Sequence, residues 1–360
     1  MPRNSLPFQH PPRRLCILRL SAIGDVTHMV PVTASLKASW PGTDLTWVVG
    51  RMEHRLLAGL PGVRFVVFDK KAGVAGYRAL WRELAGQRFD ALVHAQVSMR
   101  ANLASLGIRA GVRLGYDSAR SKDLHGLCVD HRIPPAAGQH VLDSFFSFAE
   151  TLGAAQRRLE WNIPVSEADE AFAADALPGD GPVLVISPCS SHELRNWLPD
   201  RYARVADHAA RAHGFRVVLC GGPSHSERAM GGAIETAMET PAVNLVGKDT
   251  LKQLLAMLRR ASLVISPDSG PMHMATAAGT PVIGLHAASN PDRSGPYLSR
   301  RWCVNRYDDA ARQFLGRPAG ELPWGTKIEK PGVMELIGVE DVVERIDAFV
   351  AAGMPRATPS

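Results

Sequence analysis

Two acidic residues stand in turns that join an apolar, strand-like run to a helical pattern. Asp25 lies within residues 15–31 (LCILRLSAIGDVTHMVP), and Asp268 lies within residues 263–286 (LVISPDSGPMHMATAAGTPVIGLH). Open α/β sheets bind ligands at the carboxyl ends of their strands, and helix N-termini attract anions. The two segments therefore predict an enzyme with two lobes that acts on a nucleotide-linked substrate.

Asp25 has two interpretations. Asp is among the best residues for capping the start of a helix, so Asp25 can simply cap the helix that follows. Alternatively, a carboxylate at the rim of a cleft can act as a general base and take a proton from an attacking hydroxyl group. Ser21 and Gly24 allow a close approach of the backbone, but turn geometry alone explains them as well. The local pattern leaves both interpretations open.

The turn around Asp268 has the features of a diphosphate site. Gly270 permits a tight turn and Pro271 suits the first position of a helix, so the free N–H groups beyond them can face an anion. Asp268 can accept hydrogen bonds from sugar hydroxyls, and His273 can reach a phosphate oxygen. The structural alternative is that Asp268 caps the helix and that His273 packs in the interior.

Further polar residues follow two predicted strands of the second half. Ser190 and Ser191 can donate hydrogen bonds to phosphate, and Arg195 offers a charged planar group for the same ligand. Arg195 can equally be an exposed surface residue. Glu227, after a Gly-Gly-Pro turn, can bind a ribose or stabilise the first turn of the next helix.

A basic stretch in the first half, residues 100–122, is the candidate acceptor site. It includes Arg100, Arg120 and Lys122, whose positive charges could receive an anionic acceptor. A solvated surface is the more common meaning of any single charge of this kind.

Motifs that would indicate other chemistry are missing from the sequence. No GxGxxG follows the first strand, no complete P-loop occurs, and no GxSxG nucleophile turn or Asp-x-Asp pair is found. The five cysteines are scattered, and His208 and His213 lie five residues apart, the wrong spacing for two ligands on one helix face. We therefore predict that the protein uses no metal ion and no cofactor.

The order of the segments predicts an α/β protein with two Rossmann-like domains, whose parallel sheets face a central cleft. A chain of 360 residues is long for one hydrophobic core. Apolar segments alternate with helical patterns, which is typical of parallel strands joined by right-handed crossovers. The predicted strands are residues 15–20, 44–50, 64–68, 91–96, 112–116, 182–187, 216–222, 243–247, 263–266 and 281–286. The predicted domains are residues 1–165 and 183–335, with a linker at 166–182 and a C-terminal helix and tail at 336–360.

The net charge of +6 suits an anionic ligand or an anionic membrane surface. No apolar run approaches the roughly 18 residues that a membrane-spanning helix needs, and the N-terminal residues lack the apolar stretch of a signal peptide. These features predict a cytoplasmic protein. Lys and Arg residues are not interleaved with aromatic ones, so nucleic acid is not an expected partner.

Taken together, these segments resemble glycosyltransferase family nine, the ADP-heptose:lipopolysaccharide heptosyltransferases. The strongest parts of the resemblance are SAIGDVTHMVP and SPDSGPMHMATAAGTPVIGLH, and it is supported by RNWLP, GGPSHSE and SNPDRSGPY. The resemblance implies a GT-B fold, in which the first lobe binds the acceptor and the second binds the donor. It also implies metal-independent, inverting transfer of heptose from ADP-heptose to the inner core of lipopolysaccharide.

The resemblance also assigns roles to residues of this sequence. Asp25 matches the proposed base of the family. The matches to its donor-binding loop are Asp268, Ser269, Gly270 and His273. The matches to its phosphate contacts are Ser190, Ser191 and Arg195, and Glu227 matches a contact with the nucleoside. Arg195 stands where well-studied members carry Lys, and Arg preserves the charge but not its point-like geometry.

Two other functions fit the same residues. One is a different GT-B nucleotide-sugar enzyme, with another donor sugar or acceptor, or an epimerase. The other is a protein that binds nucleotide sugars without catalysis, although the presence of both Asp25 and Asp268 counts against it. The family acts at the cytoplasmic face of the inner membrane, where attachment would be peripheral. The sequence indicates neither the core position that is glycosylated nor an oligomeric state.

Overall fold

The computed structural model describes residues 6–154, 156–177 and 179–357. The chain divides into two compact units, Met1–Pro164 and Val165–Ser360. Each unit is built around its own parallel sheet, with helices in the connections between strands.

The first unit alternates strands and helices along the chain. Its strands are β1 (Arg14–Leu18), β2 (Asp44–Gly50), β3 (Val63–Phe68), β4 (Phe89–His94), β5 (Ala110–Gly115) and β6 (His131–Arg132). Its α-helices are α1 (Ile23–Ser39), α2 (Arg51–Leu57), α3 (Gly73–Glu83), α4 (Met99–Ser105) and α5 (Val141–Leu152).

The strands of the first sheet lie in the order β3-β2-β1-β4-β5-β6, and every neighbouring pair is parallel. The order reverses between β1 and β4. In doubly wound sheets, ligands bind in the crevice at the carboxyl ends of the strands beside such a reversal. The loops after β1 and β4 therefore border the expected ligand site of this unit.

The second unit begins with a helix and then alternates in the same way. Its strands are β7 (Val183–Ile186), β8 (Arg216–Leu219), β9 (Ala242–Asn244), β10 (Leu263–Pro267), β11 (Val282–His286) and β12 (Val304–Asn305). Its α-helices are α6 (Glu167–Ala176), α7 (Pro199–His213), α8 (His225–Ala237), α9 (Leu251–Arg260), α10 (Gly270–Ala277), α11 (Pro291–Ser294), α12 (Tyr307–Leu315) and α13 (Val339–Ala351).

The second sheet repeats the strand order of the first. From one edge to the other it runs β9-β8-β7-β10-β11-β12, again with parallel neighbours. Its reversal lies between β7 and β10, so the loops after these two strands border the second expected ligand site.

The central strands are buried on both faces. Leu15 to Leu18 of β1 and Leu184 to Ile186 of β7 have no exposed surface. Strands covered on both faces are near-continuous apolar runs, which is why the sequence shows them clearly. At the end of the chain, Val342, Ile346 and Phe349 are spaced to share one face of α13 and are fully buried.

The α/β prediction is confirmed, and each predicted strand corresponds to an observed one. Two further strands, β6 and β12, were not predicted. Each has two residues and lies at a sheet edge, so it is too short to produce an apolar pattern.

The segment predicted as a linker, residues 166–182, differs in the structure because it contains α6. Ser166 Oγ accepts a hydrogen bond from the Asp169 N–H, and Asp169 Oδ2 accepts one from the Ser166 N–H. The acidic, Ala-rich composition is therefore that of a capped helix. This helix belongs to the second unit and packs against α9. The segment at 336–360 likewise contributes α13 to the core of that unit, where it packs against α7.

Among the described residues, no helix combines the length and apolar character needed to cross a bilayer.

Candidate active site

Asp25 lies at the carboxyl end of β1, as the third residue of α1. Its Oδ2 accepts a hydrogen bond from the Ala22 N–H at 3.2 Å and forms an ion pair with Arg19. The capping interaction is therefore present, although Asp25 occupies the third helical position rather than the N-cap. Its side chain is 30% exposed, so the carboxylate can still meet a ligand.

Arg19 holds this carboxylate from a nearly buried position. The guanidinium donates a hydrogen bond to the Ala95 carbonyl and lies 5.2 Å from the centroid of the Phe145 ring. Ala95 directly follows β4. Arg19 thus joins the loops after the two central strands and fixes the place of Asp25.

Gln96 makes a second connection across the same reversal. Its Oε1 accepts hydrogen bonds from the Leu20 N–H at 2.7 Å and the Ser21 N–H at 3.3 Å. Neither Arg19 nor Gln96 was singled out from the sequence. The partners of Gln96 are about 75 positions away, so no local pattern reveals these contacts.

Arg120, a predicted acceptor residue, has its hydrogen-bonding groups engaged inside the first unit. It pairs with Asp117 and donates hydrogen bonds to Gln139 Oε1, Ser144 Oγ and the Pro134 carbonyl, each at 2.9 Å. These contacts hold the loop after β5, and the acceptor role of Arg120 stays a prediction. The other two predicted acceptor residues, Arg100 and Lys122, are exposed.

Asp268 is the central acid of the second unit and directly follows β10. Its Oδ2 accepts hydrogen bonds from Ser294 Oγ and Lys327 Nζ, both at 3.1 Å, and its Oδ1 lies 3.8 Å from His273 Nε2. Burial works against ionisation, but His273 and Lys327 hold the pKa of the Asp268 carboxyl well below its usual range. The ionised carboxylate can accept hydrogen bonds from sugar hydroxyls.

The start of α10 follows immediately. Ser269 is the N-cap residue, but its hydroxyl pairs with Ser266 Oγ at 2.8 Å and makes no capping hydrogen bond. Gly270 is the first helical residue, and a proline follows it. The side chain of Ser269 therefore does not occupy the N–H groups of Gly270 and Met272, which can face an anion, whereas Pro271 has no N–H.

The loop after β7 carries the predicted phosphate contacts. Ser190 Oγ accepts a hydrogen bond from the His192 N–H at 3.1 Å, which makes the hydroxyl part of a tight turn. Arg195 pairs with Glu329, and its side chain is only 16% exposed. The alternative that Arg195 is an ordinary surface residue is therefore wrong. Ser191 is exposed beside the turn.

One short segment, residues 327–329, connects both sides of this site. Lys327 contacts Asp268, Glu329 contacts Arg195, and Ile328 between them is buried. The Ile328 N–H donates to the Ala288 carbonyl at 2.9 Å, which anchors the segment beside β11. Sequence analysis missed Lys327 and Glu329. The only local signal was two charged residues on either side of an apolar one.

Glu227 stabilises the start of α8, as its structural interpretation predicted. Its carboxylate accepts hydrogen bonds from the Gly222 N–H and Ser224 Oγ, and its own N–H donates to Ser224 Oγ. Nearby, burial and the charge of Glu227 raise the pKa of Asp249 to about 7. Glu227, in the first turn of α8, and Asp249, in the loop between β9 and α9, are thus two acidic groups that influence each other.

His208 and His213, whose spacing does not suit two metal ligands on one helix face, meet at a residue of a second helix. Both imidazoles reach the same oxygen of Asp347, which lies on another helix. The spacing argument considered one helix face only and could not include a residue from α13.

Two Rossmann-like units, each built on its own parallel sheet, are the architecture of the GT-B class of glycosyltransferases. The family model for glycosyltransferase family 9 (heptosyltransferase) matches residues 77–330. The lipopolysaccharide core heptosyltransferase OpsX of Haemophilus influenzae is 40% identical over 336 residues, 93% of this chain and 96% of that protein. Lipopolysaccharide heptosyltransferase 1 of Escherichia coli is 24% identical over 302 residues, 79% of this chain and 91% of that protein. The chain belongs to glycosyltransferase family 9.

Solved structures share the fold. A family 9 glycosyltransferase from Veillonella parvula superposes with a TM-score of 0.78 at 22% identity, covering 97% of this chain and 99% of that one. The E. coli ADP-heptose lipopolysaccharide heptosyltransferase II gives a TM-score of 0.71 at 19% identity, with coverages of 95% and 100%. The family, the fold and the glycosyltransferase activity predicted from the sequence are confirmed. The roles of the individual site residues stay predictions.

Proposed function

We propose that this protein transfers heptose from ADP-heptose to the inner core of lipopolysaccharide, with inversion and without a metal ion. The observation that carries the proposal is the 40% identity, over 93% of the chain, to a lipopolysaccharide core heptosyltransferase. The positions of Asp25 and Asp268, each just beyond the carboxyl end of a central strand, support it.

The second unit is the proposed donor site. Asp268 accepts hydrogen bonds from the sugar, and the free N–H groups at the start of α10 face the diphosphate. Arg195 and Lys327 supply positive charge beside it. The remaining proposed donor contacts are those of Ser190, Ser191, Ser269, Gly270 and His273 with the phosphates or sugar, and of Glu227 with the nucleoside.

Asp25 is the proposed general base. It takes the proton of the acceptor hydroxyl while the hydroxyl oxygen bonds to the anomeric carbon of the heptose. The bond from this carbon to the β-phosphate oxygen breaks, and its electron pair leaves with ADP. Attack opposite the leaving group inverts the anomeric centre. The start of α10 and Arg195 stabilise the charge that develops on the diphosphate.

Transfer assays test this function. Purified protein, ADP-heptose and an inner-core saccharide should yield ADP and an acceptor heavier by one heptose, and EDTA should not reduce the rate. Release of an altered sugar without any acceptor would indicate an epimerase instead. Failure with every inner-core acceptor, in a protein that ADP-heptose still stabilises against heat, would contradict heptosyl transfer and leave only donor binding.

We further propose that the protein attaches peripherally to the cytoplasmic face of the inner membrane. The first unit has an apolar–basic surface formed by α4 and the loop that precedes β6. Its exposed apolar side chains are Met99 (45%), Leu103 (42%), Leu106 (61%), Leu124 (64%) and Leu127 (82%). Exposed Arg100 and Lys122 belong to the same two segments.

Arg113 holds these two segments together. Its guanidinium donates hydrogen bonds to the carbonyl groups of Ser105, Ile108 and Cys128, so the backbone next to Leu106 lies close to that next to Leu127. Apolar side chains combined with cations bind anionic bilayers, because the apolar groups enter the interface and the cations meet the headgroups. Anionic lipid is therefore the proposed occupant of the apolar–basic surface.

Sedimentation with phosphatidylglycerol-containing vesicles tests this attachment. The Leu106→Ser/Leu127→Ser double variant should bind vesicles less than the wild type does, and it should retain transfer to a delipidated acceptor. Val74→Ser removes another exposed apolar side chain of this unit and serves as the control. Unchanged vesicle binding by the double variant would overturn the assignment. If the molecular mass of the variant in solution also changed, the surface would instead be one through which copies of the chain associate.

A further inference from the structure

Two imidazoles and one carboxylate form a cluster on the second unit, apart from the candidate active site. His208 Nε2 lies 2.7 Å from Asp347 Oδ1, and His213 Nε2 lies 2.6 Å from the same oxygen. These three atoms all lie within 4.8 Å of one another. We propose that this cluster binds a divalent transition-metal ion of the zinc type.

The packing of α7 against α13 creates the cluster. Arg204 of α7 contacts Glu340 of α13 at 3.4 Å, and His208 contacts Asp347 further along both helices. His213 is the last residue of α7. Five residues rotate through about 500° on a helix, so the two histidines leave α7 about 140° apart. They can nevertheless converge on Asp347, because the carboxylate comes from a neighbouring helix.

The donor set suits zinc. Zinc binds imidazole nitrogen at about 2.0–2.1 Å and carboxylate oxygen at about 2.0–2.2 Å in tetrahedral geometry, so ligand atoms lie about 3.3 Å apart. The observed nitrogen-to-oxygen distances of 2.6 and 2.7 Å must therefore lengthen slightly. The side chains of His208, His213 and Asp347 are 30%, 19% and 48% exposed, so small rotations can provide this. Water would complete the coordination.

The chemistry of the donors also predicts selectivity. Imidazole nitrogen favours Zn²⁺, Ni²⁺ and Cu²⁺, whereas Mg²⁺ and Ca²⁺ prefer sites made of oxygen atoms. Each imidazole would bind through Nε2 and carry its proton on Nδ1. The hydrogen bonds that Asp347 now receives would be exchanged for bonds to the metal.

The position of the cluster indicates a structural role. β7 and β8 are parallel, so α7 must run back from the carboxyl edge of the sheet to the amino edge. His213 lies just before β8, at the amino edge, whereas Asp268 follows the carboxyl end of β10. A metal ion here would tie α7 to α13 without taking part in transfer. The inference therefore stands independently of the proposed transfer reaction.

Metal titration of the untagged, full-length protein tests the inference, after removal of metal with EDTA and dialysis. We expect one equivalent of Zn²⁺ to bind and the Tm to rise, and we expect Co²⁺ to produce visible absorption bands of a low-coordinate nitrogen–oxygen site. Asp347→Asn and His213→Ala should each weaken binding by more than about tenfold. Glu340→Gln, which breaks an ion pair between the same two helices, should bind Zn²⁺ as the wild type does.

Asp347→Asn shows whether a loss of Zn²⁺ binding could result from misfolding, because this variant keeps the size of the side chain and an acceptor oxygen. Its Tm in EDTA should stay close to that of the wild type. No Zn²⁺ binding by the wild type, or equal binding by the His208→Ala/His213→Ala variant, would overturn the inference. Equal stabilisation by Mg²⁺ would also contradict it, since that would indicate an oxygen site. Transfer activity should be the same with and without Zn²⁺, and dependence on Zn²⁺ would contradict the structural role.

Discussion

Lys327 Nζ lies 3.1 Å from Asp268 Oδ2, so a residue outside the recognisable motifs neutralises the central acid of the proposed donor unit. Two positions later, Glu329 pairs with Arg195. Residues 327–329 thus neutralise both charged groups of the site: Lys327 pairs with Asp268, and Glu329 pairs with Arg195. A diphosphate that enters this site would compete with Glu329 for Arg195, which links donor binding to the position of the segment.

Lys327→Met should destabilise the second unit and weaken ADP binding. It removes a cation from Asp268, a nearly buried carboxylate, and loss of one such partner costs about 1–3 kcal/mol. Urea denaturation and calorimetric titration with ADP measure the two effects. Lys330→Met is the matched control, because Lys330 donates to the Phe314 carbonyl at an exposed position. Similar losses in both variants would contradict the assigned role of Lys327.

Arg195→Ala should lower kcat by about 10²-fold or more, because a positioned donor to the leaving diphosphate is lost. Arg195→Lys should retain more activity than Arg195→Ala, since it restores the positive charge that other family members supply with Lys. Steady-state kinetics with ADP-heptose separate the variants. Equal activity of the Lys and Ala variants would show that charge at this position is not what matters.

Asp25→Asn separates the two roles of Asp25. Asn keeps an oxygen that can accept hydrogen bonds from the Ala22 N–H and from Arg19, but it loses the charge that pairs with the nearly buried Arg19, so stability should fall by about 1–3 kcal/mol without loss of the fold. An amide cannot take a proton, so kcat should fall at least about 10²-fold while ADP affinity stays the same. Thermal denaturation and transfer rates measured on one preparation provide the comparison. Near-normal transfer by this variant would refute the general-base role.

Stability should decrease as the pH falls below about 6.5. Burial lowers the pKa of His94 to about 3 and the pKa values of His125 and His286 to about 4, from 6.5. Between these values the unfolded chain binds protons that the folded chain does not, so acid favours unfolding. The raised pKa of Asp249, about 7, acts in the opposite sense.

Three such histidines are opposed by Asp249 and by Glu53, whose pKa burial also raises, so the net difference is at most two protons, or at most about 3 kcal/mol per pH unit between pH 6 and 5. Urea denaturation at several pH values measures this slope. His94→Gln should reduce it by about one proton. A slope of zero in the wild type would contradict the neutral, buried state of these histidines.

Much of the fold could be predicted because its determinants are local. Strands such as β1 and β10 are buried on both faces and therefore read as short apolar runs in the sequence. Asp268 could be identified for the same reason, since it follows such a run directly, and Asp25 because it lies where another such run leads into a helix. The edge strand β12 was missed because its two residues give no apolar pattern. Helix α6 was missed because an acidic, Ala-rich segment is also typical of an exposed linker.

The partners of the site residues could not be predicted from local patterns. Lys327 lies 59 positions from Asp268, and Glu329 lies 134 positions from Arg195. Only packing of the second unit brings them together. The histidines of α7 show the same limit, because Asp347 lies more than 130 positions further along the chain.

The identical strand order of the two sheets has a consequence for unfolding. Each unit has its own doubly wound sheet and its own hydrophobic core, so we expect each to unfold as an independent cooperative unit. Scanning calorimetry should then resolve two transitions, and ADP should shift only the one that belongs to residues 165–360. A single transition that ADP shifts as a whole would show that the halves melt together. Two transitions would mean that residues 165–360 unfold independently of the first unit, which would make that half a candidate for separate production and titration.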